Sequence, residues 1–276
     1  MSQARLPFRR LLVALDASPG SLSALAVAAD LAARIRAEIE GLFVEDEDLI
    51  RLARHPEAWH VSLPSGDAHP MPDAALEAQL GAVAERAHAA LRAALARTHI
   101  SGTFRVVRGC VVDEVVGAAD GADLLVLGST GRPFATHLGP IARAAAAGSA
   151  GPVLLLPRGA TLAGPVQVLF DEAPDAEAAL ETAAWLAHAA ASEVVVQTIG
   201  TTGATERADR AVGWLLQQSI RARSLVLAPD DATGLRNALR RERRGIVVVG
   251  AASPLVQGDR LGVFLAQIGR PVWLVR

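Results

Sequence analysis

The stretch "RRLLVALDASPGSLSALAVAADLA" (Arg9 to Ala32) returns without a gap as "GPVQVLFDEAPDAEAALETAAWLA" (Gly164 to Ala187), and this recurrence decides the fold. Each copy is an apolar run that stops at an Asp, then a turn, then apolar residues at helical spacing. Under one constant shift Asp16 lands on Asp171, Pro19 on Pro174, Leu25 on Leu180, Ala28 on Ala183 and Leu31 on Leu186. In a chain so rich in Ala, the Ala matches carry little weight; the Asp-x-x-Pro register carries the inference. Farther on, "ADLLVLGSTG" (Ala122 to Gly131) is echoed by "RGIVVVGAAS" (Arg244 to Ser253), and "GPVLLLPR" (Gly151 to Arg158) by "RPVWLVR" (Arg270 to Arg276). The first, fourth and last strands of one unit are thus present twice.

Between the marked strands lie "IEGLFV" (Ile39 to Val44) and "TFRVV" (Thr103 to Val107) in the first copy, and "EVVVQT" (Glu193 to Thr198) and "SLVLA" (Ser224 to Ala228) in the second. Short, continuously apolar strands alternating with Ala-rich amphipathic stretches indicate an α/β protein, with parallel sheets covered by helices on both faces. The expected domains are residues 1–158 and 164–276, joined by "RGATLAGP" (Arg158 to Pro165). The copies differ most after the second strand. There the first carries a long insertion over residues 45–77, acidic at its start and then rich in Pro, Gly, Ser and His. Leu49, Ile50, Leu52 and Ala53 predict a short helix within Glu45 to Trp59, and Ser62 to Pro72 reads as a mobile loop.

At 276 residues the chain fits about two domains. A net charge of −2 gives no footprint for nucleic acid or anionic lipid. The basic run "RNALRRERRG" (Arg236 to Gly245) suits the last turns of a helix, where cations favour the dipole. One cysteine, Cys110, allows no internal disulfide and reads as a small buried apolar side chain, so a cytoplasmic location is expected. The apolar stretch Leu11 to Leu15 is too short for a signal peptide, and no stretch suits a membrane span.

In an open doubly wound sheet, ligands sit outside the carboxyl ends of the strands where the order of connection reverses, here between strands one and four. Asp16 ends strand one, and "GSTGR" (Gly128 to Arg132) follows strand four. Glycines there permit close backbone approach to a phosphate, with Arg132 as counter-charge, and a carboxylate at Asp16 suits ribose hydroxyls.

These motifs resemble the universal stress protein family. The resemblance rests on "LLVALDASPGS", "GLFVED", the Gly-two-residues-Gly loop after strand four and the closing "PVLLLPR", and it covers nearly all of both copies. It implies two tandem Rossmann-like domains of the adenine-nucleotide alpha-hydrolase-like type, each with a five-stranded parallel sheet of order 3-2-1-4-5. It also implies that ATP, ADP or AMP is the ligand. Asp16 would contact ribose, Val44 and Leu127 would flank adenine, and Gly128, Gly131, Arg132 and Gly139 would belong to the phosphate loop. Single-domain members pair through their last strands, so "VLLLP" and "VWLVR" are expected to face each other within one chain as an intrachain pseudo-dimer; a homodimer of the whole chain is a further expectation.

The chain departs from the family pattern in the phosphate loop of each copy. Seven residues, not nine, separate Gly131 from Gly139, and Pro140 stands where the family has a hydroxyl. Pro offers neither an N–H nor a hydroxyl, which removes two phosphate hydrogen bonds of about 0.5–1.5 kcal/mol each. In the second copy Ser253 replaces the second Gly, and Val263 follows Gly262.

Plainer readings stand beside these. Asp16 and Asp171 read equally as N-caps of the following helices. His55, His60 and His69 with Glu45, Asp46 and Asp48 match no metal-ligand spacing, and no metal site is expected. Trp59, Trp185, Trp214 and Trp273 read as packing residues. No nucleophile, acid or base declares itself, so the chain reads as a stress-response regulatory protein that binds a small ligand, with no cofactor required. The alternatives are an interaction scaffold for an unidentified protein, with both pockets vestigial, and a slow nucleotide hydrolase.

Overall fold

A computed structural model describes residues 8–55, 59–61, 68–70, 73–128, 139–200, 203–227, 232–242, 244–258 and 260–276. The first half supplies strands β1 (Arg10–Ala14), β2 (Glu38–Asp46), β5 (Gly102–Gly109), β6 (Leu124–Gly128) and β7 (Val153–Leu156). The second supplies β8 (Val166–Leu169), β9 (Val194–Ile199), β10 (Ala222–Leu227), β11 (Ile246–Gly250) and β12 (Val272–Val275). All ten form one sheet of order β10-β9-β8-β11-β12-β7-β6-β1-β2-β5. Within each half this is the order 3-2-1-4-5 with parallel neighbours.

The seam between the halves is antiparallel: Val272 pairs Leu155, Trp273 pairs Leu154 and Leu274 pairs Val153. Leu154 and Trp273 are counterparts in the repeat, and the flanking pairs are the same pair read from either half. A local pseudo-twofold therefore passes through Leu154 and Trp273. The apolar last strands, which would be open pairing templates in an isolated half, become the centre of the sheet. The outer strands carry charge instead. Arg105 pairs with Glu40 at 2.9 Å and Arg108 with Glu45 at 2.8 Å beside β5, while Arg223 on β10 pairs with Glu193 and Glu242.

The central strands β7 and β12 are apolar at every position and their neighbours are mostly so, and their side chains alternate into two cores. Leu11, Val13, Leu124, Val126 and Leu154 face helices α1 (Pro19–Ile35), α3 (Asp73–Thr98), α6 (Ala176–Ala190) and α7 (Ala204–Gln217). Leu12, Leu125, Leu127 and Leu155 face α4 (Val111–Ala119), α5 (Pro140–Gly148), α8 (Ala232–Arg241) and α9 (Arg260–Ile268). Each core runs through the seam, with Trp273 in the first and Leu274 in the second. The basic run expected to end a helix does so in α8.

The insertion has structure of its own. Helix α2 (Glu47–Ala53) is capped by Asp46 and packs Ile50 and Ala53 against Leu76 of α3. The reading of Ser62 to Pro72 as a loop is corrected at its end, because β4 (Ala68–Pro70) pairs antiparallel with β3 (Trp59–Val61). Residues 62–67, 71 and 72 lie outside the described residues, as does the side chain of Trp59.

Helices α1 and α6 end alike. Their C-caps, Arg36 (φ 59°) and Ala191 (φ 48°), are counterparts in the repeat and both are left-handed. A Cβ is unfavourable in that conformation. Ala191→Gly is expected to raise stability by about 0.5–1 kcal/mol, read as a higher urea midpoint at unchanged slope.

Candidate functional site

Strand β1 lies between β2 and β6, so the carboxyl ends of these three strands meet at the point where the connections reverse direction. Asp16 follows β1 there, with Val44 in the next strand on one side and Leu127 and Gly128 on the other. Val44 is half-buried, whereas Leu127 is buried against the α4/α5 face. Gly128 runs so close to the first turn of α1 that a Cβ would stand 2.5 Å from the Gly20 carbonyl oxygen and 2.9 Å from the Ser21 amide. The strand-four turn is thereby held against the N-terminus of α1, and only glycine fits. Gly139 is the N-cap of α5, and Pro140 is its first residue. Gly131 and Arg132 lie outside the described residues.

The structure separates Asp16 from the capping role. Asp16 Oδ1 accepts the Ser18 amide at 2.9 Å, an Asx turn, while the cap of α1 is Ser18, whose hydroxyl accepts the Ser21 amide at 3.2 Å. The Asp16 amide donates to the Ser21 hydroxyl at 3.3 Å, and Ser21 is buried. Withdrawal from water would push the Asp16 carboxyl up, but its hydrogen bonds with the Ser18 and Ser21 side chains and with backbone amides outweigh this and hold it below the usual range. The turn is tight: Ala17 has φ 55°. This leaves an ionised carboxylate exposed at the switch point, with two hydroxyls behind it.

Asp171 makes the same Asx turn, with Oδ1 accepting the Ala173 amide at 3.0 Å. It is likewise no cap, and its other oxygen is taken by the Ser253 hydroxyl at 2.5 Å. Sequence reading singled out Asp16, Asp171 and Ser253, but not Gly20, Ser18, Ser21 or this hydrogen bond. The Ser-Pro pair at Ser18 and Pro19 is an N-cap followed by Pro at the first helical position, a signal that could have placed the cap. Cys110 is corrected: it is exposed at the N-cap of α4, not buried. Backbone pairing brings His60 opposite His69, but their side chains lie outside the described residues. No helix among the described residues is long and apolar enough to cross a membrane.

Residues 7–157 match the model of the universal stress protein family. No curated protein matches the chain. Among solved structures, a universal stress protein from Archaeoglobus fulgidus DSM 4304 superposes with a TM-score of 0.76 at 16% identity, covering 98% of this chain and 99% of that one. A functionally unknown protein from Pseudomonas aeruginosa PAO1 gives 0.57 at 13% identity, over 99% and 94%. A universal stress protein in complex with cAMP covers 55% of this chain and 98% of its own, at 23% identity and a TM-score of 0.38. The family match spans more than half of the sequence, and the two longer superpositions show the same fold along its whole length: the chain belongs to the universal stress protein family.

Proposed function

We propose that the first half binds an adenine nucleotide at the carboxyl ends of β1, β2 and β6, and that the protein acts as a ligand-binding regulator rather than an enzyme. The observation that carries this reading is the ionised Asp16 beside a strand-four turn that glycine alone brings against α1. Asp16 would accept from ribose hydroxyls, Val44 and Leu127 would border the base, and Gly128, Gly131, Arg132 and Gly139 would border the phosphates. Pro140 opens α5, so its missing N–H costs the helix nothing, yet it removes a donor a terminal phosphate would use. AMP and ADP are therefore expected to compete well with ATP, with affinities from micromolar to millimolar, about −8 to −4 kcal/mol. Residues 1–158 and 164–276 are the two domains of this reading.

Calorimetry with AMP, ADP and ATP on wild type, Asp16→Ala and Asp171→Ala tests it. Asp16→Ala should weaken binding about tenfold or more, as expected when hydrogen bonds to a charged acceptor are lost, and Asp171→Ala should leave it unchanged. Equal loss in both variants would place a working site in the second half as well. No heat with any of the three nucleotides would favour the scaffold reading, toward which the internally satisfied Asp171 already points for the second half.

A further inference from the structure

In the register of the repeat, Asp175 stands where the first half has Gly20, and Ser253 stands where it has Gly131. The first substitution changes what fills the cleft between the strand-one and strand-four turns. In the first half, backbone meets backbone at Gly20 and Gly128. In the second, Gly250, the counterpart of Gly128, meets the carboxylate of Asp175, which would overlap any Cβ at that position.

This carboxylate is turned away from its own helix. Asp175 is the N-cap residue of the 15-residue helix α6, yet it has φ −98° and ψ 8° and makes no capping hydrogen bond. A capping Asp is extended and accepts from the second or third helical amide. Here Oδ2 instead crosses the cleft and accepts the Ala252 amide at 2.7 Å, in the strand-four turn. Oδ1 is buried and without a hydrogen-bond partner among the described residues. The same turn sends the Ser253 hydroxyl to Asp171. Arg207 of α7 pairs with Glu172, the residue after Asp171, at 2.8 Å. The Ala252 amide, the Ser253 hydroxyl and the Arg207 guanidinium are thus each engaged by an acidic side chain of the same chain.

We propose that Asp175 is the resident anion of the second half: its carboxylate occupies the cleft in place of a phosphate-bearing ligand and makes this half refuse one. A tethered group acts at an effective concentration on the order of millimolar, so it outcompetes free ligands of modest affinity. It also repels a second anion at close range, where the partly buried cleft screens charge weakly. Asp175 is therefore a specificity-determining residue, and the difference from Gly20 makes the two halves unequal.

Asp175→Gly restores the residue of the first half and frees the Ala252 amide, which opens the cleft beside the N-terminus of α6. With inorganic pyrophosphate as probe, calorimetry should show one more binding site per chain in this variant than in wild type. If the first half binds, the count rises from one to two; if it does not, from zero to one. The increment therefore tests Asp175 whether or not the nucleotide reading of the first half holds. Asp175→Asn keeps the size and an acceptor for Ala252 but removes the charge. It should show the extra site at about tenfold weaker affinity, and it serves as the test should the glycine variant fail to fold. An unchanged site count in a folded Asp175→Gly protein, or in Asp175→Asn where the glycine variant does not fold, would overturn the proposal.

Discussion

Trp273→Ala is expected to lower the unfolding free energy by about 3–5 kcal/mol, the range for emptying a fully buried aromatic site. Trp273 is 0% exposed and is among the largest wholly buried side chains. It lies at the seam opposite Leu154, with its ring 5.4 Å from Phe8 and 6.2 Å from Trp185, both at steep interplanar angles. Phe8 also lies 5.2 Å from Trp185. Phe8, two residues before β1 of the first half, therefore packs on α6 and β12 of the second. Removing the indole would open a cavity in a core that both halves share, so urea unfolding followed by circular dichroism should shift as one transition. Two transitions, only one of them shifted, would show that the halves fold independently of the seam. The indole N–H is buried without a hydrogen-bond partner among the described residues. Trp273→Phe removes that unpaired donor as well as some apolar area, and is expected to cost only about 1–2 kcal/mol.

Gly245→Ala should cost about 3 kcal/mol or more, measured the same way. Gly245 has φ 97°, which L-residues rarely adopt, and a Cβ there would overlap the Pro165 carbonyl oxygen. From the other side, a Cβ at Gly164 (φ 121°) would come within 2.8 Å of the Gly245 amide. The linker thus enters β8 through a contact between two glycines, secured by the Ser192 hydroxyl on the Gly164 carbonyl at 2.7 Å. Gly213→Ala is the control. Gly213 lies in α7 with open space around it, and the substitution should raise stability by up to about 1 kcal/mol.

The two halves solve this corner differently, which shows where sequence reading stops. Asp123 is the counterpart of Gly245, and its carboxylate accepts the Arg9 and Arg10 amides at 2.7 and 2.8 Å. One copy holds the strand entrance with a side chain on backbone donors, the other with backbone against backbone. Neither arrangement leaves a pattern of hydrophobic spacing.

The α/β class, the duplication and the meeting of the last strands were legible because each rests on a local or repeated signal. Strands buried on both faces are mostly apolar, and an apolar last strand left open is a template for pairing. The Asp at the end of strand one was likewise visible, since a lone carboxylate after "LLVAL" is conspicuous in the chain. Its company was not. Whether Asp16 or Ser18 caps α1, whether Asp175 caps α6 or crosses to Ala252, and whether Ser253 bonds Asp171 are choices among hydrogen-bond partners that differ in energy by about 1 kcal/mol. In the second half those partners lie 77 and 82 residues apart in the chain. Sequence fixes which groups need a partner; only the packed sheet, by bringing the strand-one and strand-four turns together, decides which partner each one takes.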